Sequence, residues 1–421
     1  MMKERIKIGY VGLGRRGFHV LKNEFLQMKD VEIKTICDLN AEKMQRACDE
    51  FAKSGAPAPA TTTDYRTILC DPEIDAVVIM IGWSGRPQIA MESMRAGKYT
   101  AIEVGEADTL DECYELIRTY EETGTPLMML ENCCYGRREM MALRMAREGL
   151  LGELVHCTGG YLHYLNECEL LSEVEGDTVP HYRLAHYEEK NRENYPTHEL
   201  GPIAKVLGIN RGNRMVSLTA VASKARGIAA YAAERFGKDS SFATRTYRQG
   251  DIVNTVITCA NGETIALTLD TTLPRAYYSR DFSVRGTRGL VDERRQVVFV
   301  EGMKEEIANN EQEMYEKYDH PLHEEYVRLG ERGGHGGMDW LVCRAFVESV
   351  KRGENTPIDA YDTVALMAIG PLSERSIAAG GAPVEIPDFT GGKWKDREPA
   401  VLGKYCLDAI VSDPDTPIFP E

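Results

Sequence analysis

The sequence predicts an α/β protein in which a doubly wound parallel sheet is followed by a second α/β domain with an open, mostly antiparallel sheet. Three observations support this prediction. The first 130 or so residues alternate apolar runs with amphipathic stretches, the pattern of β-α-β units. A Gly-x-Gly-x-x-Gly loop separates the first run from the helix after it. From residue 131 onward, longer alternating runs predict antiparallel hairpins, one of them turning at Asn261-Gly262.

Five strands and the helices between them account for the first domain, which we place at residues 1–130. Each strand is a nearly continuous apolar run, as expected for a strand that is buried on both faces. The strands are expected over 6–14, 31–38, 75–82, 99–104 and 126–130. The helices are expected to about residue 28 after the first strand, and then over 41–55, 87–97 and 109–124. Thr109 is a favourable N-terminal cap for the last of these helices.

The second domain is placed at residues 131–421. We expect helices over 136–152 and 196–212, and strands over 153–165, 214–224, 251–273 and 281–300. Two stretches are expected to be irregular: 166–195, which is polar and rich in His and Tyr and is interpreted as an active-site loop, and the charged surface segment 301–333. Closing helices are expected over 338–353 and 360–380, before an extended tail after 390.

Composition and charge argue against several classes of protein. Of 421 residues, 43% are hydrophobic and 28% are charged, as in globular proteins. The formal net charge of −16 repels phosphates, so we expect neither nucleic acid nor a membrane as a partner. We find no secretory signal and no apolar run of membrane-spanning length. The eleven cysteines follow no disulfide or zinc spacing, so we expect a cytoplasmic protein without a metal.

The glycine-rich loop predicts a dinucleotide site. Gly12 allows a tight turn, Gly14 lets the backbone approach a pyrophosphate, and Gly17 lets the helix pack against the strand. Asp38 ends the second strand, where a carboxylate accepts hydrogen bonds from ribose hydroxyls and disfavours a 2′-phosphate. The alternative is a structural glycine turn with a helix-capping Asp. Because strand, loop, helix and acid fall in register, we expect NAD and hydride-transfer chemistry.

Tyrosine and histidine residues follow one another closely after residue 130. Tyr161 and His163 lie two apart on a predicted strand, so their side chains share one face. His198 follows Tyr195 at the start of a predicted helix, where the positive end of the dipole favours a neutral imidazole. Each residue alone is more often a hydrogen-bonded structural group. Their grouping beside a dinucleotide domain favours an NAD-dependent enzyme with a polar substrate.

Three further polar residues join these candidates. Asn132 comes just after the fifth predicted strand, at the strand ends where ligands bind in doubly wound sheets. Arg183 lies in the polar segment that we interpret as a loop, and Tyr278 follows a predicted strand. These positions predict that the substrate meets the cofactor at the edge of the first sheet.

The order of the domains resembles that of the Gfo/Idh/MocA oxidoreductases, in which a Rossmann domain precedes an α/β domain with an open sheet. Dehydrogenases of that superfamily usually carry Glu-Lys-Pro after the fourth main strand, with the lysine near the reacting carbon. Here residues 103–105 read Glu-Val-Gly. The missing lysine argues against a simple dehydrogenase.

A more specific resemblance is to glycoside hydrolase family 109, the NAD-dependent α-N-acetylgalactosaminidases that share this fold. It extends over nearly the whole chain and includes the segments GLGRRG (12–17), LENCCYGRREM (130–140), NYPTHELGP (194–202), DTTLPRAYYSR (270–280), GGHGGMDW (333–340) and VEIPDFTGGKW (384–394). The chain departs from the family at Arg86, where the family usually has His, and at Glu199, where it has a small residue. Both changes bear on the sugar preference.

The resemblance implies a set of site residues. The residues that it implies for NAD, together with the glycine-rich loop, are Gly12, Gly14, Arg16, Gly17, Asp38, Trp83, Arg86, Glu103, Val104 and Asn132. The residues that it implies for the sugar are Tyr161, Arg183, Tyr195, His198 and Tyr278.

The resemblance also implies a mechanism that begins with oxidation of the sugar. NAD takes hydride from C3, a base removes the C2 proton, the aglycone leaves, water adds, and the hydride returns, so NAD is tightly bound and recycled in each turnover. We expect Tyr161 to be the base at C2 and His198 to accept the proton of the C3 hydroxyl. His163 would orient the nicotinamide or Tyr161. A tyrosine base needs positive charge nearby, and Arg183 is the candidate.

Two other functions stay open. An NAD-dependent sugar or glycoside 3-dehydrogenase or a lyase of the same fold would stop at the oxidised or eliminated product. A non-catalytic NAD-binding sensor would not need the intact set of Tyr, His and Arg residues. The expected partner is a small-molecule glycoside. We also expect a homo-oligomer, a dimer or higher, because an open sheet face favours pairing.

Overall fold

The computed structural model describes residues 3–171, 181–304 and 307–420. Two sheets organise these residues, one of six parallel strands and one of eight mostly antiparallel strands. The predicted fold class is therefore confirmed. No helix within the described ranges has the length and apolar character needed to cross a membrane.

The first sheet has the strand order β3-β2-β1-β4-β5-β6. Its strands are β1 Ile6–Val11, β2 Val31–Cys37, β3 Ala60–Thr62, β4 Ala76–Ile79, β5 Tyr99–Ile102 and β6 Leu127–Met129. The helices between them are α1 Arg15–Asn23, α2 Ala41–Ser54, α3 Arg66–Cys70, α4 Arg86–Arg95 and α5 Leu110–Thr123. The strand order reverses between β1 and β4, so a crevice opens at the carboxyl ends of these strands, where α/β sheets bind ligands.

The structure corrects the prediction of five strands in this sheet. The added strand β3 and helix α3 are too short for a periodic pattern to reveal them. β1 stops at Val11 because Gly12 turns the chain with a φ of 97°. The cap at Thr109 is confirmed, since its side chain accepts a hydrogen bond from the backbone of Glu112 and the Glu112 side chain bonds back.

The second sheet has the strand order β13-β12-β11-β7-β10-β9-β8-β14. Its strands are β7 Leu154–Leu162, β8 Met215–Ala222, β9 Ile252–Cys259, β10 Thr264–Asp270, β11 Ser283–Gly286, β12 Gly289–Asp292, β13 Val297–Val300 and β14 Val384–Glu385. β7 and β10 pair in parallel, and the other neighbours are antiparallel. The predicted hairpin at Asn261-Gly262 joins β9 to β10.

Helices cover one face of the second sheet and fill the segments around it. They are α6 Arg137–Arg147, α7 Tyr182–Glu189, α8 Thr197–Val206, α9 Gly227–Phe236, α10 Ser241–Thr244, α11 Glu311–Tyr318, α12 Pro321–Leu329, α13 Met338–Arg352, α14 Ala360–Met367 and α15 Ile369–Ala378. α8 lies on β7 so closely that a Cβ on Gly159 would come within 2.6 Å of the Cβ of Glu199. The opposite face of the sheet leaves Val221 and Val256 exposed.

Several predictions for the second part were wrong in detail. The segment predicted as a loop, 166–195, contains a π-helical turn at Asn166–Leu170 and helix α7, although residues 172–180 lie outside the described part. The segment 301–333 contains α11 and α12 rather than only an irregular excursion, because its charged residues alternate with buried Leu322 and Tyr326. The predicted strand 281–300 is three short strands, and the predicted helix 360–380 is two helices that meet at Ala368.

Candidate active site

In the glycine-rich loop between β1 and α1, two glycines are closely packed and the third borders open space. A Cβ on Gly12 would approach the Met80 carbonyl oxygen to 2.6 Å, and a Cβ on Gly17 would approach the Gly12 oxygen to 2.3 Å. A Cβ on Gly14 would meet nothing within 4 Å. Gly14 also gives α1 no side-chain cap. The N-terminus of α1 is therefore free to receive an anion, and the loop fits a pyrophosphate.

The acid just after β2 is held beside the glycine-rich loop. Asp38 Oδ2 accepts a hydrogen bond from the Leu13 backbone at 2.7 Å, so the carboxylate is held beside the glycine-rich loop. The two loop arginines bond to protein groups: Arg15 donates to the Cys168 carbonyl oxygen at 2.9 Å, and Arg16 pairs with Asp339. These side chains therefore already have protein partners.

Asp339, at the start of α13, joins three groups around the cofactor site. Its two oxygens accept a forked pair of hydrogen bonds from Arg16 at 2.6 and 2.7 Å. Asn132 Nδ2 donates to it at 2.7 Å, and His335 Nδ1 lies 2.8 Å away. Burial opposes ionisation, but the hydrogen bonds and charges of Arg16 and His335 hold the pKa of Asp339 well below its usual range. Sequence reasoning missed Asp339, because an acid in the first turn of a helix is common without function.

The chain after β5 is held by Arg86. The guanidinium donates to the carbonyl oxygens of Glu103, Val104 and Ile81, the last two at 2.8 Å, and burial lowers the pKa of Arg86. Trp83 packs on Gly105, where a Cβ would lie 2.3 Å from the indole ring. The two residues thus shape the loop at the ends of β4 and β5, on the same side as the glycine-rich loop.

The aromatic and histidine residues predicted for the sugar lie together at the end of β7 and the start of α8. Ring centroids are 4.3 Å apart for Tyr161 and Tyr195, 5.0 Å for Tyr195 and His198, and 5.7 Å for Tyr161 and His198. Tyr278 completes the group at 5.1 Å from His163. The Trp83 ring lies 6.0 Å from that of Tyr195, which joins this cluster to the cofactor side of the crevice.

Tyr161 and His163 form a hydrogen-bonded pair. The Tyr161 hydroxyl oxygen lies 3.1 Å from His163 Nδ1. Burial raises the pKa of the Tyr161 phenol, while the charge of Arg183 acts in the opposite direction. Burial also lowers the pKa of His163. At neutral pH, therefore, a protonated phenol donates to a neutral imidazole, which is a route for the phenol proton to leave.

Arg183 from α7 stacks on the aromatic cluster. Its guanidinium carbon lies 4.6 Å from the Tyr195 ring centroid and 5.3 Å from that of Trp83. Glu169 pairs with Arg183 at 2.8 Å and was not singled out from the sequence. No periodic signal could have found it, because it lies on a single π-helical turn.

His198 is paired with a buried acid from the first sheet. Its Nδ1 lies 2.8 Å from Oε1 of Glu131, which also accepts a hydrogen bond from the Cys133 backbone at 3.0 Å. Glu131 is fully buried, and burial raises the pKa of its carboxyl, but the charge and hydrogen bond of His198 lower it by more. Glu131 was not predicted, although it adjoins Asn132 in the same segment. The signal that was overlooked is its position directly after the last strand.

The segment that carries Arg183 and Tyr195 is anchored to the first sheet. Arg192 donates to Glu106 at 3.2 Å, and Lys190 pairs with Asp108, both acids lying in the loop after β5. The substrate cluster is thereby fixed against the strand ends that form the cofactor crevice.

Two buried carboxyls lie behind the cluster without partners. Glu193 and Glu199 are fully buried, and none of their carboxyl oxygens has a hydrogen-bond partner in the described part of the chain. Burial raises the pKa of Glu193 to about 8, and burial together with the nearby Glu193 raises the pKa of Glu199. Glu199 is the position where the sequence departs from its family resemblance. Both shifts favour the protonated, neutral form of these two acids.

Two groups of side chains offer several possible metal-ligand atoms to one another. Each group has its ligand atoms within 4.8 Å of one another, and the groups are Glu131, Cys133 and His198, and His19, Glu24 and Asp339. Arg280 donates to the Cys133 sulfur at 3.4 Å, and Arg16 occupies both oxygens of Asp339. Arginine side chains of the protein therefore already bond to a member of each group. The expectation that the protein holds no metal stays a prediction.

Two family models match successive parts of the chain. One, described as "Oxidoreductase family, NAD-binding Rossmann fold", covers residues 6–131. The other, described as "Glycosyl hydrolase 109, C-terminal domain", covers residues 135–396.

Curated relatives match over almost their whole length. A "Glycosyl hydrolase family 109 protein" of Stenotrophomonas maltophilia (strain K279a) is 40% identical over 95% of this chain and 93% of its own. An "Alpha-N-acetylgalactosaminidase" of Tannerella forsythia is 37% identical over 94% of this chain and 88% of its own.

Solved structures share the fold at low sequence identity. A levoglucosan dehydrogenase in complex with NADH and levoglucosan superposes with a TM-score of 0.67 at 18% identity, covering 91% of this chain and all of that one. A second structure, a GenD2 from gentamicin A biosynthesis in complex with NAD, superposes with a TM-score of 0.62 at 16% identity, covering 92% and 98%. At these identities the likeness shows the fold alone.

Proposed function

The chain belongs to glycosyl hydrolase family 109 and is an NAD-dependent glycoside hydrolase, and we propose that it cleaves α-N-acetylgalactosaminides by transient oxidation of the sugar at C3. The name of the Tannerella forsythia relative supports the choice of sugar. The observation that carries the mechanism is the cluster of Tyr161, His163 and His198, which Glu131 and Trp83 join to the carboxyl ends of the first sheet. Ordinary glycosidases use two carboxylates at the scissile bond, whereas tyrosine and histidine side chains make up this cluster.

NAD, when bound, supplies the acceptor for the C3 hydride and returns it at the end of the cycle. The chain's own residues then handle the protons. His198, oriented by Glu131 through Nδ1, presents Nε2 to accept the proton of the C3 hydroxyl. His163 takes the phenol proton of Tyr161 over the 3.1 Å contact, and Arg183 stabilises the resulting phenolate. The Tyr161 phenolate then removes the proton from C2, which the C3 ketone acidifies, and the aglycone leaves C1. Water adds across the resulting double bond, with its hydroxyl on C1 and a proton on C2, before C3 is reduced again.

We propose that NAD stays bound and is regenerated in each turnover, because each oxidation is followed by a reduction on the same sugar. We propose that the sugar lies against Tyr195, Tyr278 and Arg183, which meet in the aromatic cluster. Residues 1–130 would hold the cofactor and residues 131–421 the glycoside. Arg16, Asp38, Glu103, Val104 and Asn132 remain our candidates for NAD contacts.

Nitrophenyl glycosides test this function. The purified protein, without added NAD, is incubated with the α and β anomers of N-acetylgalactosamine, galactose, glucose and N-acetylglucosamine. We expect nitrophenol release from the α-N-acetylgalactosaminide with no build-up of absorbance from NADH. A protein that releases no nitrophenol, but accumulates NADH once NAD is supplied, would be a sugar 3-dehydrogenase instead. Release of nitrophenol from another sugar would replace the proposed substrate but would still show glycosidase activity.

We further propose that two copies pair through the open face of the second sheet. Val221 is 52% exposed and Val256 is 47% exposed on this face, whose neighbouring polar side chains bond along the sheet, such as Thr268 to Asn254 at 3.1 Å. Light scattering should give a dimer or higher oligomer, and Val256→Glu should dissociate it. A wild-type monomer would contradict the proposal. The cytoplasmic location that the sequence predicts stays a prediction, which cell fractionation tests.

A further inference from the structure

We propose that Asp339 is a positioning residue that retains NAD, by fixing the side chains of Arg16 and Asn132 beside the glycine-rich loop. The proposal rests on the retained cofactor of the proposed function. It assigns to the start of α13 a part in cofactor binding, although α13 lies more than 300 positions after the loop in the chain.

The contact between Asp339 and Arg16 is a forked ion pair in which the acid is buried and the guanidinium is partly exposed. Arg16 is the second residue of α1, and both terminal nitrogens of its guanidinium donate to Asp339, at 2.6 and 2.7 Å. Asp339 has no exposed surface. Two parallel charge-assisted hydrogen bonds fix a guanidinium in one plane. The first turn of the helix that would receive the pyrophosphate is thereby tied to α13.

The second contact sets the direction of the Asn132 side chain. Asn132 Nδ2 donates to Asp339 Oδ1 at 2.7 Å, so the amide cannot rotate freely. Its Oδ1 then points away from the carboxylate and lies 3.5 Å from the Cys133 sulfur. Asn132 follows β6, at the carboxyl edge of the sheet where the cofactor would lie. Asp339 thus fixes the orientation of the Asn132 amide.

The glycine-rich segment before α13, residues 333–337, contacts the C-terminal end of α1. The Gly334 backbone donates to Glu24 Oε1 at 2.9 Å. A Cβ on Gly333 would lie 2.4 Å from Glu24 Oε2, and a Cβ on Gly334 would lie 2.6 Å from Asp339 Oδ2. Only glycine therefore fits these two positions as they stand. α1 is held at its first turn by Asp339 and at its last turn by this segment.

An enzyme that regenerates its cofactor gains nothing from releasing it. Movement of α1 and its loop away from α13 would break the ion pair between Arg16 and the fully buried Asp339. Breaking one side of such a pair is costly and acts mainly on dissociation rates. We therefore expect Asp339 to act on how long NAD stays bound.

The test compares Asp339→Asn with the matched control Asp30→Asn. Asp30 also accepts a forked pair of hydrogen bonds from an arginine of α13, Arg344, both at 2.7 Å, but it lies at the start of β2, away from the loop. Each protein is purified by gel filtration, its bound NAD is counted after denaturation, and NAD release is timed by trapping with a dehydrogenase. The double variant Asp339→Asn with Arg16→Met shows whether Asp339 acts through Arg16.

We expect Asp339→Asn to release NAD faster than wild type by on the order of 10-fold or more, and Asp30→Asn to lower the melting temperature without this loss. The double variant should lose little more than its parents. Wild-type NAD content and release in a folded Asp339→Asn protein would overturn the proposal. If that variant does not fold, Gly334→Ala, whose Cβ presses on Asp339, should speed release, and unchanged release would overturn it.

A wild type that keeps no NAD through gel filtration would refute the retained cofactor of the proposed function, but not the role of Asp339. In that case the dissociation constant for added NAD is measured by calorimetry. A constant unchanged by Asp339→Asn would then refute the role of Asp339 as well. Neither readout depends on turnover of a glycoside.

Discussion

His198 Nδ1 lies 2.8 Å from Oε1 of Glu131, so a buried carboxylate at the end of the first sheet holds the imidazole at the start of α8. The carboxylate favours the proton on Nδ1, which leaves Nε2 as the atom that accepts a proton. The Tyr195 hydroxyl lies 3.5 Å from Nε2. Glu131, which follows the last strand of the first sheet, therefore sets the orientation of His198, the proposed base, at the start of α8.

Replacing Glu131 by Gln should slow the step at C3. A neutral amide no longer favours one tautomer or stabilises the imidazolium, so we expect kcat to fall on the order of 10²-fold with a smaller change in KM. The isotope effect with substrate deuterated at C3 should rise, because hydride removal becomes rate-limiting. Glu348→Gln, which removes a buried acid paired with Arg344 in α13, is the control. Equal kcat and isotope effect in Glu131→Gln and wild type would contradict this role.

The pH dependence should report on Tyr161 and Arg183. Burial raises the pKa of the phenol, so the base form is scarce at neutral pH and kcat/KM should rise as the pH rises. Arg183→Met removes the charge that opposes this effect. The rising limb should then move to higher pH, with about 10-fold lower activity at fixed pH for each pH unit of displacement.

Arg183→Lys is the matched control for the rising limb of the kcat/KM profile against pH. It keeps the positive charge but loses the planar stack on Tyr195, so the limb should stay nearer its wild-type position while KM rises. A limb that stays in place in Arg183→Met would show that Arg183 does not stabilise the phenolate.

Substitutions at two loop glycines, Gly14 and Gly17, should separate cofactor binding from folding. Gly14→Ala adds a methyl group to open space at a φ of −59°, so the protein should keep its melting temperature and lose affinity for NAD. Gly17→Ala would place a Cβ 2.3 Å from the Gly12 oxygen and should destabilise the fold itself. Unfolding scans and NAD titration measure both effects. Full NAD affinity in Gly14→Ala would show that the cofactor does not approach this residue.

Glu193 should make the protein less stable as the pH rises. The pKa of its carboxyl is raised to about 8 in the folded state by burial, against about 4.3 in an unfolded chain. Folding therefore holds the proton that the unfolded chain gives up, and stability falls between these two values. Glu193→Gln should raise the free energy of unfolding at pH 7.5 and leave it nearly unchanged at pH 4. Glu50→Gln, at an exposed ion pair on α2, should show no such gain.

The parts of the fold that the sequence could predict are those with strong local signals. Continuous apolar runs identified the strands around Gly12 and Asp38, and capping residues such as Thr109 identified helix ends. Helix α7 was missed because it is short and its charged residues resemble those of a loop. The motif-bearing Tyr161, Tyr195 and His198 could be found because short segments of chain bring them together.

The groups that support these residues could not be found in the same way. Glu131 reaches His198 across 67 positions, and Asp339 reaches Arg16 across 323. Neither acid has a local pattern that sets it apart from the many acids of the chain. Their roles depend on which side chains the two sheets place face to face, and that relationship exists only in the folded protein.

Deuterium at C2 of the released sugar is the most direct test of the central claim. Wild type, Tyr161→Phe and the control Tyr187→Phe, a buried tyrosine whose hydroxyl lies 2.6 Å from that of Thr271, are incubated with the nitrophenyl α-N-acetylgalactosaminide in D2O. The redox-elimination mechanism predicts deuterium at C2 in wild type and in Tyr187→Phe, and loss of both release and deuterium in Tyr161→Phe. Release of a sugar that keeps its C2 proton in wild type would contradict the mechanism.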